Sequence, residues 1–200
     1  VRFLERGDLP TTRTNLERIA QLVDRMGLIT SQLRTFARKS SGKLQPVALC
    51  QALENALALL EPRLRQAEAE IVRHCPLPEP WARCDANRLE QVLVNLIGNA
   101  LDAMDGQPVP RIEIDCYGCD GQAWLSVRDH GAGLAAEALA HLFEPFFTTK
   151  AAGVGLGLGL TISAGIVRDF GGTLSGANHP DGGAVFTLQI PLLDEAERHD

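Results

Sequence analysis

The sequence predicts an α+β protein: a sandwich in which helices cover one face of a mixed β-sheet, preceded by a long coiled-coil-like helix. Three observations carry that reading. Helical and strand periodicities interleave along the chain, the strands near its middle alternate like an antiparallel pair, and the first forty residues carry a seam of period three and four. The totals agree with a globular domain, since 45% of the 200 residues are hydrophobic and 22% charged.

Residues 1–13 are polar, with Gly7 and Pro10, and read as a loop or frayed end. Thr14 and Glu17 then form a capping box. Leu16, Ile19, Leu22, Met26, Ile29, Leu33 and Phe36 follow at alternating spacings, a narrow seam that needs a partner helix. Ser40, Ser41 and Gly42 end it, so residues 1–44 form one unit, 45–194 a second, and 195–200 a tail. Within the second unit, 48–65 reads as a helix and 70–75 as a short strand. A proline-rich crossing through Pro76, Pro78 and Pro80 and the segment "WARC" come next. Residues 86–105 form a strongly periodic helix, and 111–117 and 122–129 are paired strands with Gly118, Asp120 and Gly121 as turn residues. An irregular, partly Gly-rich stretch runs to about 157, followed by a helix to Phe170. Strands at about 172–177 and 184–190, joined through "NHPDGG", complete the sheet.

Composition excludes several classes. A net charge of −6 leaves no basic footprint for nucleic acid, and no stretch reaches the length of a membrane span. No signal-peptide pattern opens the chain, and its start at Val1 is consistent with a fragment. Five scattered cysteines, Cys50, Cys75, Cys84, Cys116 and Cys119, fit reduced thiols. The C-x-x-C of Cys116 and Cys119 has no second ligand pair and reads as a hairpin.

Four segments carry chemistry. In "NRLEQVLVNLIGNALDAM" the apolar arc faces Gln91, Asn95, Asn99 and Asp102, which lie within roughly 80° of one another at 100° per residue. Polar stripes are usually solvated faces, yet two Asn and Gly98 are poor helix formers, which argues for a use of those amides. An Asn carbonyl suits a hard cation such as Mg²⁺. In "SVRDHGAGL", Asp129 ends a strand beside Gly131 and Gly133, a turn that would also admit a flat amine-bearing group such as adenine. "HLFEPFFTTK" gathers Phe143, Phe146 and Phe147, three of seven Phe, before Thr148, Thr149 and Lys150. Those last residues suit a lid facing phosphate. "GVGLGLGLTIS" places glycines at the start of a helix, where exposed N–H groups and the dipole favour an anion.

In this order the four segments resemble the N, first Gly, F and second Gly boxes of histidine kinase ATP-binding domains, in the superfamily shared with DNA gyrase and the MutL proteins. "FEPFFTTK" and "GLGLGLTISAGIVRDFGGTL" are similar to sensor kinases of the dicarboxylate-transport type, and "DRMGLITSQLRTFARK" to the second helix of their dimerisation hairpin. The resemblance implies a Bergerat-type sandwich binding ATP and Mg²⁺. It implies Asn99 as the metal residue, Asn95 near the phosphates and Asp102 beside them. Asp129 would receive the adenine amine over Gly131 and Gly133. Phe143, Thr148, Thr149 and Lys150 would form the lid, and Gly155, Leu156, Gly157, Leu158, Gly159 and Leu160 the phosphate loop. Thr187 would lie beside the adenine, and Lys150 would stabilise charge.

The gyrase-like general-base position is here Asn95, so the resemblance implies transfer rather than hydrolysis. The expected acceptor is a His on a hairpin helix outside this chain, because His74, His130, His141, His179 and His199 lack that context. Expected partners are a response-regulator receiver domain and a second copy through the hairpin, in the cytoplasmic part of an inner-membrane sensor. The alternatives are a superfamily ATP hydrolase or a degenerate nucleotide-binding scaffold.

Overall fold

The computed structural model describes residues 15–16, 43–149 and 156–199. The chain divides into two compact units, Val1–Lys39 and Ser40–Asp200. Of the first, Asn15 and Leu16 are described, both helical. The Thr14–Glu17 capping box and nearly all of the seam helix lie outside the described residues.

The second unit runs β1 (Gln45–Ala48), α1 (Leu49–Gln66), β2 (Glu70–His74), β3 (Trp81–Cys84) and α2 (Ala86–Ala103). It continues with β4 (Arg111–Cys119), β5 (Gln122–Asp129), α3 (Ala136–His141), α4 (Gly159–Asp169), β6 (Thr173–Asn178) and β7 (Ala184–Pro191). Five strands form one sheet in the order β2-β4-β5-β7-β6. The β2–β4 pair is parallel and the others antiparallel, so the sheet is mixed as expected.

Strand alternation sorts the sheet into two faces. Ile112, Ile114 and Cys116 of β4, Leu125 and Val127 of β5, and Leu188 and Ile190 of β7 are buried at 1% exposure or less. Leu53 of α1, Leu89, Leu93, Leu96 and Ile97 of α2, and Val167 of α4 complete the same core cluster. The side chains between the buried strand positions remain partly open, so the helices cover a single face. α2 starts where Asp85 caps it, accepting the Arg88 N–H at 3.2 Å.

Three segments differ from expectation. "WARC" is a strand, and with β1 it makes a separate two-stranded antiparallel ribbon. Ala48 therefore ends a strand instead of opening α1. Four-residue strands give too short an alternation to be read as such. The stretch after Asp129 also contains the six-residue helix α3, whose pattern is a turn and a half long. The β4–β5 turn is tighter than expected. Asp120 and Gly121, both at positive φ, make the two-residue connection while Gly118 stays within β4.

Candidate functional site

α2 and the end of β5 meet at one edge of the sandwich. The Asp129 carboxyl is 2% exposed, and its Oδ1 accepts the N–H of Gly131 at 2.8 Å and of Ala184 at 3.1 Å. Burial of a carboxyl requires such partners, and both bonds go to one oxygen. The backbone crowds this corner. A Cβ on Gly131 would stand 2.7 Å from the Ala103 carbonyl oxygen, and one on Gly183 would stand 1.8 Å from the Asp129 carbonyl oxygen. The His130 N–H lies 3.4 Å from Met104 Sδ. Asp129 thus abuts the C-terminal end of α2, and Asn99 lies one turn, about 6 Å, up that helix.

Gly133 has φ of +76°, and a Cβ there would meet Asn178 Oδ1 at 2.9 Å. Asn178 clamps the next residue from both sides, accepting the Leu134 N–H at 2.7 Å and donating to the Leu134 carbonyl at 2.8 Å. This amide on β6 fixes the loop after Asp129, and its position within a polar hairpin gave no sign of the role.

Asn95 belongs to the interface between α2 and α4. Its Nδ2 donates to the buried Ser163 Oγ at 3.0 Å, and its Oδ1 would be 2.4 Å from a Cβ on Gly159. At the far end of the pair, Arg88 bonds Asp169 at 2.6 Å and lies over the Phe170 ring. Both contacts require the two helices to run antiparallel. α4 has no side-chain cap at its start, so the first-turn N–H groups are not used by a capping side chain.

The Phe-rich segment is joined to the glycine segment through backbone. The Phe146 N–H bonds the Gly157 carbonyl at 3.1 Å, and a Cβ on Gly157, at φ +65°, would lie 2.3 Å from the Phe147 carbonyl oxygen. Thr161 Oγ1 donates to the Phe143 carbonyl at 3.1 Å. Leu158 is buried, Phe143, Leu156 and Leu160 are half-buried against the core, and Thr148 and Thr149 are exposed. Phe146 projects into solvent at 70% exposure. Lys150 and Gly155 lie outside the described residues.

Two candidates separate from this group. Thr187 pairs with Ser126 and alternates with buried Phe186 and Leu188, so it lies on the open face of the sheet, opposite Asp129. The register, which sequence alone left unfixed, places Ala184 beside the carboxyl instead. Asp102 turns toward α1, where Arg63 Nη2 bonds its Oδ1 at 2.6 Å, crossing over Gly98. An exposed pair of this kind contributes little stability, about 0–1 kcal/mol. Asp102→Asn is therefore expected to shift the unfolding midpoint little, measured by thermal denaturation.

Behind Asp129, on the open face, Glu113 accepts from Arg111 and Arg128 at 3.0 Å each and lies 3.3 Å from His130 Nε2. Burial alone would raise the Glu113 carboxyl. The neighbouring His130 imidazole and the two guanidiniums outweigh it and hold the group below its usual range.

The sequence profile of the histidine kinase-, DNA gyrase B- and HSP90-like ATPases matches residues 84–194, from the end of β3 to just beyond β7. The chain belongs to this ATPase family. Its ATP-binding sandwich is of the sensor histidine kinase type, which bears out the resemblance read from the four motifs. The C4-dicarboxylate transport sensor protein DctB of Rhizobium meliloti is 42% identical over 180 residues, covering 90% of this chain and 29% of that protein. The two-component sensor PprA of Pseudomonas aeruginosa is 41% identical over 187 residues, covering 91% of this chain and 20% of that protein. The chain thus spans less than a third of the length of these relatives. Among solved structures, full-length ShkA in complex with AMPPNP aligns at a TM-score of 0.68 and 28% identity, covering 94% of this chain and 38% of that one.

Proposed function

We propose that this chain is the ATP-binding catalytic part of a sensor histidine kinase. It transfers the γ-phosphoryl of ATP to a His on a hairpin helix outside the sequence, for relay to an Asp of a response-regulator receiver domain. The observation that carries the reading is Asp129: a buried carboxyl at a strand end, held through one oxygen and flanked by glycines where added carbons would strike the chain's own atoms. The second oxygen accepts the adenine amine. Gly131 and Gly133 let the flat ring come against backbone, and Asn178 keeps their loop in place. ShkA, solved with AMPPNP, lends support from a relative.

For the phosphates, the uncapped start of α4 offers N–H groups to anionic oxygens, and Asn95 holds that helix end against α2. Thr148 and Thr149, exposed at the end of the Phe-rich segment, would with Lys150, next in sequence, cover the triphosphate. The donor chemistry of α2 also suits Mg²⁺. Asn99 supplies a neutral amide oxygen beside this end of the sandwich, and Mg²⁺ takes such ligands while keeping several waters. When bound, Mg²⁺ neutralises phosphate charge. The residues of the chain align the donor and exclude water, which is most of what a loose phosphoryl-transfer transition state needs. Asn95, whose side-chain amide donates a hydrogen bond to Ser163, is no general base for water, which favours transfer over the hydrolase reading.

The parent is read as an inner-membrane sensor with this unit on the cytoplasmic side, dimerising through its hairpin. Among the described residues no helix is long and apolar enough to cross a membrane. The test mixes this chain and γ-labelled ATP with a separate hairpin bearing the acceptor His. Label on the hairpin supports the reading, whereas steady phosphate release without label supports a hydrolase. Nucleotide binding with neither outcome supports a scaffold. In the same assay Asn99→Ala is expected to lower the transfer rate at least about 100-fold, the size of effect seen when one preorganised charge-stabilising group is lost.

A further inference from the structure

A cluster of thiols lies away from the nucleotide end. Cys50 in the first turn of α1, Cys75 just after β2 and the buried Cys116 of β4 have Sγ atoms all within 4.8 Å of one another. The Cys50 and Cys116 sulfurs are 3.8 Å apart. Two thiolates on one zinc ion, at about 2.3 Å each and a tetrahedral angle, stand about 3.8 Å apart. Three separate elements, distant in sequence, deliver these side chains to one point. The C-x-x-C motif does not, since Cys119 lies exposed at the hairpin end.

We propose that Cys50, Cys75 and Cys116 form a three-thiolate site for zinc(II), with a water completing the tetrahedron on the exposed Cys75 side. Among the described residues no His, Asp, Glu or further Cys joins the cluster, so the protein supplies three ligands and leaves the fourth position open. Sulfur donors select soft or borderline cations over Mg²⁺. Charge then separates zinc(II) from copper(I). With three thiolates zinc leaves one net negative charge and copper leaves two, and uncompensated charge beside the buried Cys116 is costly. Glu79, an anion near Cys50, adds to that cost for copper. Binding is an exchange without redox change: one zinc ion and one water enter, and three thiol protons leave.

The site is independent of the nucleotide. Ile112 pairs with Asp129, whereas Cys116 pairs with Leu125 four residues further along β4, a displacement of about 13 Å. A bound ion would tie the start of α1 to the edge strand β2 and to β4, so its signature is stability.

The reduced full chain is titrated with zinc(II) and, separately, with cobalt(II) as a spectroscopic stand-in. One equivalent of zinc is expected to raise the unfolding midpoint, and cobalt to give a thiolate charge-transfer band. Cys75→Ser, at an exposed position that does not threaten folding, is expected to weaken zinc binding at least 100-fold. Cys119→Ser should leave it unchanged, and nucleotide affinity should stay the same in both variants. The proposal is overturned if zinc leaves the midpoint unmoved and cobalt gives no band, or if the two serine variants bind alike. It is equally overturned if mild oxidant removes two of the three thiols as a disulfide while the reduced protein ignores zinc. Each of these failures leaves the ATP titration standing.

Discussion

Asp129→Asn is expected to lower the affinity for ATP by about 10- to 150-fold while the protein stays folded. The substitution keeps an oxygen in the place of Oδ1, so the bonds from the Gly131 and Ala184 N–H groups survive. What changes is the other atom, which becomes an NH₂ donor aimed at a purine amine that is itself a donor. A hydrogen bond to a charged group contributes about 1.5–3 kcal/mol, and at about 1.4 kcal/mol per decade this gives the stated range. Isothermal titration with a non-hydrolysable ATP analogue measures it, and thermal unfolding controls for the fold. Affinity within threefold of the parent chain would remove Asp129 from the adenine site. Asp129→Ala would be a poorer test, since it strips the partner from two backbone N–H groups in a buried corner and damages the loop as well.

The contrast between Asp129 and Thr187 shows what a sequence discloses about such a site. Asp129 was legible because a carboxyl between a strand and two glycines is a local pattern, and the local backbone carries the consequence. Thr187 depended on which way β7 faces its neighbour, and a shift of one residue moves a side chain to the other face. Asn178 and Ser163 were invisible for a related reason. Each acts on a partner far away in sequence, Leu134 and Asn95, and neither stands in a recognisable motif. Asp102 was placed with the polar stripe by helical angle, correctly as geometry, but Arg63 comes from another helix and claims it. The larger plan was readable because α2 and the paired β4 and β5 are long enough to display their periods. The β1–β3 ribbon was not, at four residues a strand. The thiol cluster likewise arises only when the termini of three elements converge.

Gly157→Ala is expected to reduce ATP affinity at least tenfold with a much smaller effect on global stability. Two costs coincide at this residue. Its φ of +65° carries a penalty of about 1–2 kcal/mol for any side chain, and the new methyl would fall 2.3 Å from the Phe147 carbonyl oxygen. The obstruction is backbone, so no rotamer change relieves it. The Phe146–Gly157 bond must open, and the Phe segment must leave the start of α4. Residues on both sides of that contact are the proposed cover of the triphosphate, whereas the hydrophobic core beneath keeps its contacts. Gly159→Ala provides the comparison. Its methyl would meet a side-chain atom, Asn95 Oδ1, at 2.4 Å, and Asn95 can yield by giving up its bond to Ser163. Its unfolding midpoint should accordingly fall, and removing the obstructing amide in a Gly159→Ala/Asn95→Ala double variant should recover part of that loss. No second side chain can rescue Gly157→Ala, because the clash is with the chain itself. Nucleotide titration of both single variants separates the cases: loss at 157 alone, or a larger loss there than at 159, is the pattern expected of a glycine that joins two halves of a lid. Equal and unchanged affinities would show that the joined segments do not cover the phosphates.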